Sequence, residues 1–496
     1  MIKTTILLLL SCCLVVTSWA QPAVEKQLNR YLDANRHNPA LLRAFFQQMP
    51  KGGDLHHHYS GSVYPETFLK AIEEHNFWIN VETYVIAPDK PKYRNKEVWF
   101  RVKMLQENGL WGTIKEELLQ RWSIKDYTRC NHIPPDRHFF DSFGKFSKAK
   151  KKVYAEGLQE LKRRAKNENL QYLETMFVSA DYEVDLELKK DYNAILIDLG
   201  EQQDAAVQET LAYLDKMCKK HAGFQKTLAQ HHHFIDSMHR GMDDASFTMR
   251  YQNYVTRVIK PLQVFKDMVV AFESAKKHPL IVGVNIVAPE NNETSMRDYW
   301  LHMQMFRYCS KQYPDVKYAM HAGELTLGMV KPEDLSWHIG AAVNIAEADR
   351  IGHGIDIMYE VNRQALLTKM REEGIAVEIN LSSNEFILGI KDYAHPVTLY
   401  EKSGVPIVIS TDDAGILRTD LTEQYVLLVH RYSEMSYSTI KRYVYNSITY
   451  SFLNEEMKAK LTNQLDAAFA KFEALAVQEI NPVPKPKKPK KQHPQE

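Results

Sequence analysis

The sequence has little cysteine, five residues in 496. Cys12 and Cys13 fall in an N-terminal apolar stretch, which leaves Cys130, Cys218 and Cys309. Three thiols permit at most one bridge, so a disulfide-built scaffold is excluded, and no CxxC pair exists to start a cysteine-based metal site. An excess of one charge is lacking too. Lys+Arg is 63 against 62 Asp+Glu, a net charge of +1, which does not suit a strongly basic nucleic-acid binder. That balance hides a basic tail, since residues 485–496 hold five Lys and one Glu, and the body before it is mildly acidic. Beyond the N-terminal stretch no apolar run is long enough to span a bilayer. With 44% hydrophobic, 25% charged and 11% aromatic side chains, the composition is globular, and collagen-like, coiled-coil and wholly disordered chains are excluded.

The first twenty residues read as a processing signal. Met1-Ile2-Lys3 is a basic start, an apolar run covers Ile6 to Val16, and Ser18-Trp19-Ala20 is a small-x-small cleavage pattern before Gln21. The expectation is a signal peptide over 1–20 and an exported, soluble mature protein, extracellular or periplasmic. Leu9-Leu10-Ser11-Cys12 also fits a lipoprotein box, but the apolar stretch continues past Cys12, which places lipid anchoring second.

Residues 21–49 carry apolar positions at three- and four-residue spacing, ended by Pro50, and predict an N-terminal helical extension. Residues 79–135 are aromatic-rich and weakly periodic, which suggests an inserted subdomain. From there β-branched runs alternate with helical ones, the pattern of βα units on a parallel sheet. The expected strands are Gly53–His57, Leu173–Val178, Thr227–His232, Leu280–Val287, Lys317–His321, Arg350–Ile355, Ala376–Asn380 and Pro406–Ser410. Eight such strands predict an α/β fold, a (β/α)8 TIM barrel over 50–480 with the insertion after its first strand and its chemistry at the C-terminal strand ends. Residues 481–496, rich in Pro and Lys, cannot build a core and are expected to be disordered.

Four clusters stand at those strand ends. In Leu55-His56-His57-His58, alternation along a strand points His56 and His58 the same way. His321-Ala322-Gly323-Glu324 adds an imidazole and a carboxylate. Gly352-His353-Gly354 sets a histidine between glycines, which permit close backbone approach. Ser410-Thr411-Asp412-Asp413 brings two adjacent carboxylates, which repel unless a cation or a shared proton neutralises them. His56, His58, His321 and Asp412 together offer three nitrogens and one oxygen, a donor set suited to Zn²⁺ with a position left for water. Glu324 is placed to exchange protons with substrate, His353 to orient the water or take its proton, and Asp413 to contact substrate. His231-His232-His233 is placed at a strand end and set aside as a separate metal site. Ser382-Ser383-Asn384 is read as satisfying backbone groups or lining the pocket, and His395-Pro396 as structural.

The motifs MPKGGDLHHHYSG, HAGE, RIGHG and STDD, in this order, resemble the signature of the adenosine deaminase family over residues 45–475. The leader, N-terminal helices and insertion look like the secreted adenosine deaminase growth factor subgroup. The resemblance implies zinc held by His56, His58, His321 and Asp412, and His58 also lies against the substrate. It implies protonation of purine N1 by Glu324, attack on C6 by a water that His353 orients, and a hydrogen bond from Asp413 to N7, with inosine and ammonia as products. N7 is an acceptor, so that last contact requires a protonated carboxyl. The resemblance also implies a homodimer built through the N-terminal helices, a small-molecule purine as partner and no nucleic acid. Two positions depart from the pattern. Ser60 stands where adenosine enzymes usually have an Asp that contacts ribose. A hydroxyl there does not repel a 5′-phosphate, so an adenine nucleotide stays open as substrate. Ala288 stands where the family often has Gly. A barrel kept only for extracellular binding or signalling is the non-enzymatic alternative.

Overall fold

The computed structural model describes residues 23–92, 98–128, 133–179, 181–200 and 203–480. The proposed leader, Cys130 and the Lys/Pro tail lie outside the described residues. Eight parallel strands follow one another in chain order around a nearly closed barrel: β1 Gly53–His58, β2 Tyr172–Met176, β3 Thr248–Thr256, β4 Ile281–Val287, β5 Lys317–Ala322, β6 Arg350–His353, β7 Ala376–Ile379 and β8 Ile407–Ile409. Runs such as Ile407-Val408-Ile409 and Ala376-Val377 are buried on both faces, as strands roofed by crossover helices must be. The barrel architecture expected from the sequence is therefore present.

One expected strand is not. Thr227–His232 lies inside a helix, Ala222–His239, and the third barrel strand is Thr248–Thr256. The two apolar-polar patterns are alike over a short stretch. The helix buries Phe224, Leu228, His231 and Ile235, a helical spacing that a six-residue window does not distinguish from alternation. His231 pairs with Asn253 of the third strand and His232 with Ser274 of helix Pro261–Lys277 at 2.9 Å each, and His233 is exposed, so the three are engaged apart from one another and away from the barrel mouth.

The barrel closes between β1 and β8. His58 N–H donates to Asp412 O at 3.1 Å and Asp412 N–H donates to His56 O at 2.9 Å, forming a parallel bridge at His57 and Asp412. The Ser410 hydroxyl accepts the Leu55 and His56 amides at 3.3 and 3.2 Å. After helices Tyr59–Ser62 and Pro65–Glu74, which follow β1, the chain adds before β2 a three-stranded antiparallel sheet, Trp78–Asn80, Ile86–Ala87 and Trp99–Arg101, and four helices, Val102–Glu107, Trp111–Trp122, Pro135–Lys150 and Tyr154–Asn167. The Phe68 and Phe146 rings stack at 4.7 Å to fix the third of these helices beside the barrel mouth. At the N-terminus residues 23–35 are helical, and Pro39–Gln48 packs on helix Leu421–Arg431. Cys218 and Cys309 are free, buried thiols. No helix among the described residues is long and apolar enough to cross a membrane.

The barrel interior carries a buried ion network. Arg350 donates to Glu378 and to Glu174 at 2.6 Å each, lies over the Phe452 ring at 3.6 Å, and all three charged groups are essentially fully buried. Glu174 also accepts from Gln252 at 2.9 Å and from the Phe452 amide at 3.0 Å. Removing one partner of such a network leaves uncompensated buried charge. Arg350→Met is therefore expected to lower unfolding free energy by about 3–5 kcal/mol, read by urea denaturation. A loss below about 1 kcal/mol, the size of an exposed pair, would contradict the assignment.

Candidate active site

The site lies at the C-terminal ends of the strands, in a cavity of about 530 Å³ lined by His58, Ser60, His321, Glu324, His353, Asp412 and Asp413. Cavities of about 580 and 640 Å³ exist elsewhere, and neither is lined by a histidine. Chemistry rather than size singles out the barrel mouth.

All seven residues singled out from the sequence come together here. His56 and His58 leave β1, His321 leaves β5, His353 ends β6, and the Asp412-Asp413 pair follows β8. The ligand atoms of His56, His58 and His321, and those of His56, His353 and Asp412, each lie within 4.8 Å of one another. His58 Nε2 is 3.1 Å from His321 Nε2 and 3.3 Å from Asp412 Oδ1, and His56 Nε2 is 3.5 Å from that same oxygen. His57 points away, its Nδ1 2.9 Å from Thr175 Oγ1 on β2.

The atoms behind the imidazoles decide which nitrogen faces the centre. His56 Nδ1 is held by Glu378 at 2.6 Å, and His56 Nε2 is buried with no hydrogen-bond partner. His321 Nδ1 faces Asn285 Oδ1 at 3.0 Å. An oxygen accepts, so the proton of neutral His321 sits on Nδ1 and its Nε2 lone pair is free. Imidazole nitrogens converging on one buried carboxylate form the pattern of a cation site. Three imidazoles and one carboxylate suit zinc. The donors present therefore fit the metal the sequence called for.

Close packing makes the convergence possible. A Cβ on Gly352 would stand 2.8 Å from the His56 ring, and one on Gly61 would stand 1.6 Å from Asp413 Oδ1. Backbone strain collects at the same place. His353, Asp412 and Ala288 take left-handed conformations at φ +68°, +63° and +87°, at a cost of roughly 1–3 kcal/mol each. The Ala288 value explains why glycine suits that position.

Burial sorts the carboxyls. It raises Glu324 well above the ordinary carboxylate range, reinforced by Asp412 and Glu290. It raises Asp413 in the same way, with Asp412 as the next cause. Asp412 goes the other way. Burial opposes its charge, but His56 beside it outweighs burial and holds it well below the usual range. Burial also depresses His58 to about 4 and His353 to about 3, and His321 well below the ordinary imidazole value. Against burial, Asp412 and Glu378 push His56 up to about 10. Burial thus disfavours charge on Glu324, Asp413, His58, His321 and His353, whereas the contact between His56 and Asp412 favours the charged form of both partners.

Three further residues were not singled out from the sequence. Glu290 accepts the Gly323 and Glu324 amides at 3.1 and 2.9 Å and faces His338 Nδ1 at 2.6 Å, so it fixes the loop that carries Glu324. Glu378 and Asn285 orient His56 and His321. Their signal is a polar residue inside an otherwise apolar strand, as in Ala-Val-Glu-Ile and Val-Gly-Val-Asn-Ile-Val.

Purified protein is expected to carry one divalent ion per chain, lost in His58→Ala and Asp412→Ala. Asn285→Leu, which touches no metal, is expected to weaken affinity about 10–100-fold, read by competition with a chelating dye. Unchanged affinity in Asn285→Leu would contradict the orienting role.

The family profile described as adenosine deaminase matches residues 206–468. An adenosine deaminase of Clostridium perfringens is 30% identical over 143 residues, 29% of this chain and 40% of that protein, so the match spans less than half of the relative's length. Among solved structures, the N6-methyl-AMP deaminase of Arabidopsis thaliana superposes with a TM-score of 0.54 at 17% identity, over 86% of this chain and 99% of that one. An amidohydrolase of Burkholderia ambifaria, solved with bound zinc, gives 0.50 at 16% identity over 87% and 94%. Both likenesses concern the fold. With a profile match over more than half of its length and the site at its barrel mouth, the chain belongs to the adenosine deaminase family.

Proposed function

We propose that this protein is a zinc-dependent hydrolase that removes the 6-amino group of adenosine, giving inosine and ammonia. The observation that carries this reading is the convergence of two buried carboxyls, Glu324 and Asp413, whose burial favours the protonated form, on a cluster of three imidazoles and Asp412. A bound metal would supply a water whose pKa is lowered to roughly 7. The protein's own groups account for the rest. Asp413 donates its proton in a hydrogen bond to purine N7, and Glu324 gives a proton to N1, which makes C6 electrophilic. The water oxygen bonds to C6, and His353, with Nε2 3.7 Å from Glu324 Oε1 and 4.0 Å from Asp412 Oδ2, stands where that oxygen is held. One water proton passes to the amine and the other returns to the Glu324 carboxylate; the C6–N bond then breaks, ammonia leaves, and the ring keeps the oxygen as the C6 carbonyl with the proton on N1. Glu290 holds Glu324 in register throughout.

The second reading is an adenine nucleotide as substrate. Ser60 lines the cavity without a charge to repel phosphate, and Lys150 lines the same cavity from helix Pro135–Lys150. The C. perfringens relative supports the nucleoside and the A. thaliana neighbour, by its name, a nucleotide. Export of the mature chain, the growth factor subgroup and a homodimer built on the N-terminal helices complete the proposal. The leader pattern and the helices at 23–35 and Pro39–Gln48 support them.

Incubation with adenosine, AMP and ATP, with and without chelator, is expected to release ammonia from at least one of them and to stop on metal removal. No ammonia from any of the three would defeat the deaminase reading. Glu324→Ala is expected to abolish turnover while leaving purine binding measurable, and unchanged turnover would remove Glu324 from the chemistry. Ser60→Asp places a like charge beside a 5′-phosphate and is expected to lower AMP turnover at least about tenfold more than adenosine turnover. Equal effects would remove the nucleotide reading.

A further inference from the structure

His353 reaches the reacting centre through Nε2, so its usefulness depends on which nitrogen bears its proton. The surrounding hydrogen bonds answer this from outside the site. The Val397 amide donates to His395 Nδ1 at 3.1 Å. That nitrogen is therefore an acceptor, and the proton of the buried His395 ring is on Nε2. Burial, followed by the nearby Arg431, depresses His395 to about 3, which keeps the ring neutral. His395 Nε2 lies 3.1 Å from Asn384 Oδ1. An N–H facing that position needs an oxygen, so the Asn384 amide cannot turn over without setting two donors against each other. Its Nδ2 consequently points the other way, 2.9 Å from His353 Nδ1. Asn380 Nδ2 stands 3.5 Å from the same nitrogen. His353 Nδ1 must accept, and its proton must be on Nε2, facing Glu324 and Asp412. All of His353, Asn384 and His395 are buried, so no solvent exchange relaxes this constraint.

We infer that Asn384 and His395 are positioning residues, a relay running from the Val397 amide that locks His353 in the Nε2–H tautomer and so presents a hydrogen-bond donor to the reacting oxygen. Neither residue touches substrate. Asn384 rides on helix Leu381–Leu388 directly after β7, and His395 follows the short turn Asp392–Ala394. The relay therefore ties the donor at the end of β6 to the element that follows the next strand. This inference rests on the deaminase reading for its catalytic consequence, but the tautomer is a property of the protein alone.

Neutron diffraction from deuterium-exchanged crystals of the full chain reads the relay directly. The expected map has deuterium on Nε2 of both His353 and His395, none on His353 Nδ1, and the ND₂ group of Asn384 facing His353. Deuterium on His353 Nδ1, or the reverse amide orientation, would overturn the inference. Asn384→Asp keeps the acceptor for His395 and removes the donor to His353. It is expected to lower kcat about 10²–10⁴-fold, the size of a misplaced general acid–base proton, with KM changed less than about threefold. A kcat within about twofold of wild type would overturn it. If that variant does not fold, a second pair decides. His395→Gln retains an N–H at the Nε2 position, His395→Leu does not, and the glutamine variant is expected to be at least about tenfold faster. Equal losses in the two would mark mere packing and overturn the relay. A wild-type protein with the expected map but no deaminase activity would defeat the functional reading and leave the tautomer assignment standing.

Discussion

Two backbone hydrogen bonds across the barrel seam hold the centre together. His58 N–H to Asp412 O and Asp412 N–H to His56 O join residues more than 350 positions apart, and three of the four proposed metal ligands ride on those bonds. Each ligand side chain is then aimed from behind, His56 by Glu378 and His321 by Asn285. Glu378 is held in turn by Arg350, which Glu174 shares. Barrel closure and metal geometry are thus one mechanical problem. A chain that failed to close at this seam would scatter the donors and expose a buried ion network with no other compensation.

The same burial that makes the network costly to break makes the chemistry feasible at neutral pH. Burial, reinforced by the neighbouring Asp412, favours the protonated form of two carboxyls, Glu324 and Asp413. Asp412 can stay ionised because His56 faces it. Groups of one chemical type are driven to opposite protonation states a few ångströms apart, which is how proton donors and an anionic ligand coexist. The left-handed backbone at His353 and Asp412 belongs to the same arrangement, since local strain is tolerated where the surroundings fix the conformation.

Much of this was legible in the sequence, and the reasons are specific. Seven of the eight barrel strands lie where the sequence places them, and the seven site residues stand at or just after strand ends. The third strand was misplaced because Thr227–His232 carries helical burial in a window too short to show its period, whereas Thr248–Thr256, with Arg250, Gln252 and Asn253, is too polar to read as a barrel strand. Gln252 serves Glu174 and Asn285 inside the barrel, and Asn253 bonds to the helices outside it. Glu378 was missed for a related reason, since a carboxylate that orients a ligand has no motif of its own, only an anomalous place in an apolar run, and Glu290 lies in a polar loop, Pro-Glu-Asn-Asn, where a clamping carboxylate looks like any other. In the sequence His395 reads as structural and Asn384 as satisfying backbone groups or lining the pocket. Their place in a chain of hydrogen bonds depends on distances between segments, which no local spacing encodes.

The central claim is that His56, His58, His321 and Asp412 hold a single ion between them. Anomalous diffraction at the zinc absorption edge, on crystals of the metal-loaded full-length protein, tests it most directly. The account predicts one strong peak at roughly 2.0–2.2 Å from three imidazole nitrogens and a carboxylate oxygen. A metal-loaded crystal with its peak elsewhere, or with any of these four side chains turned away from the ion, would contradict it.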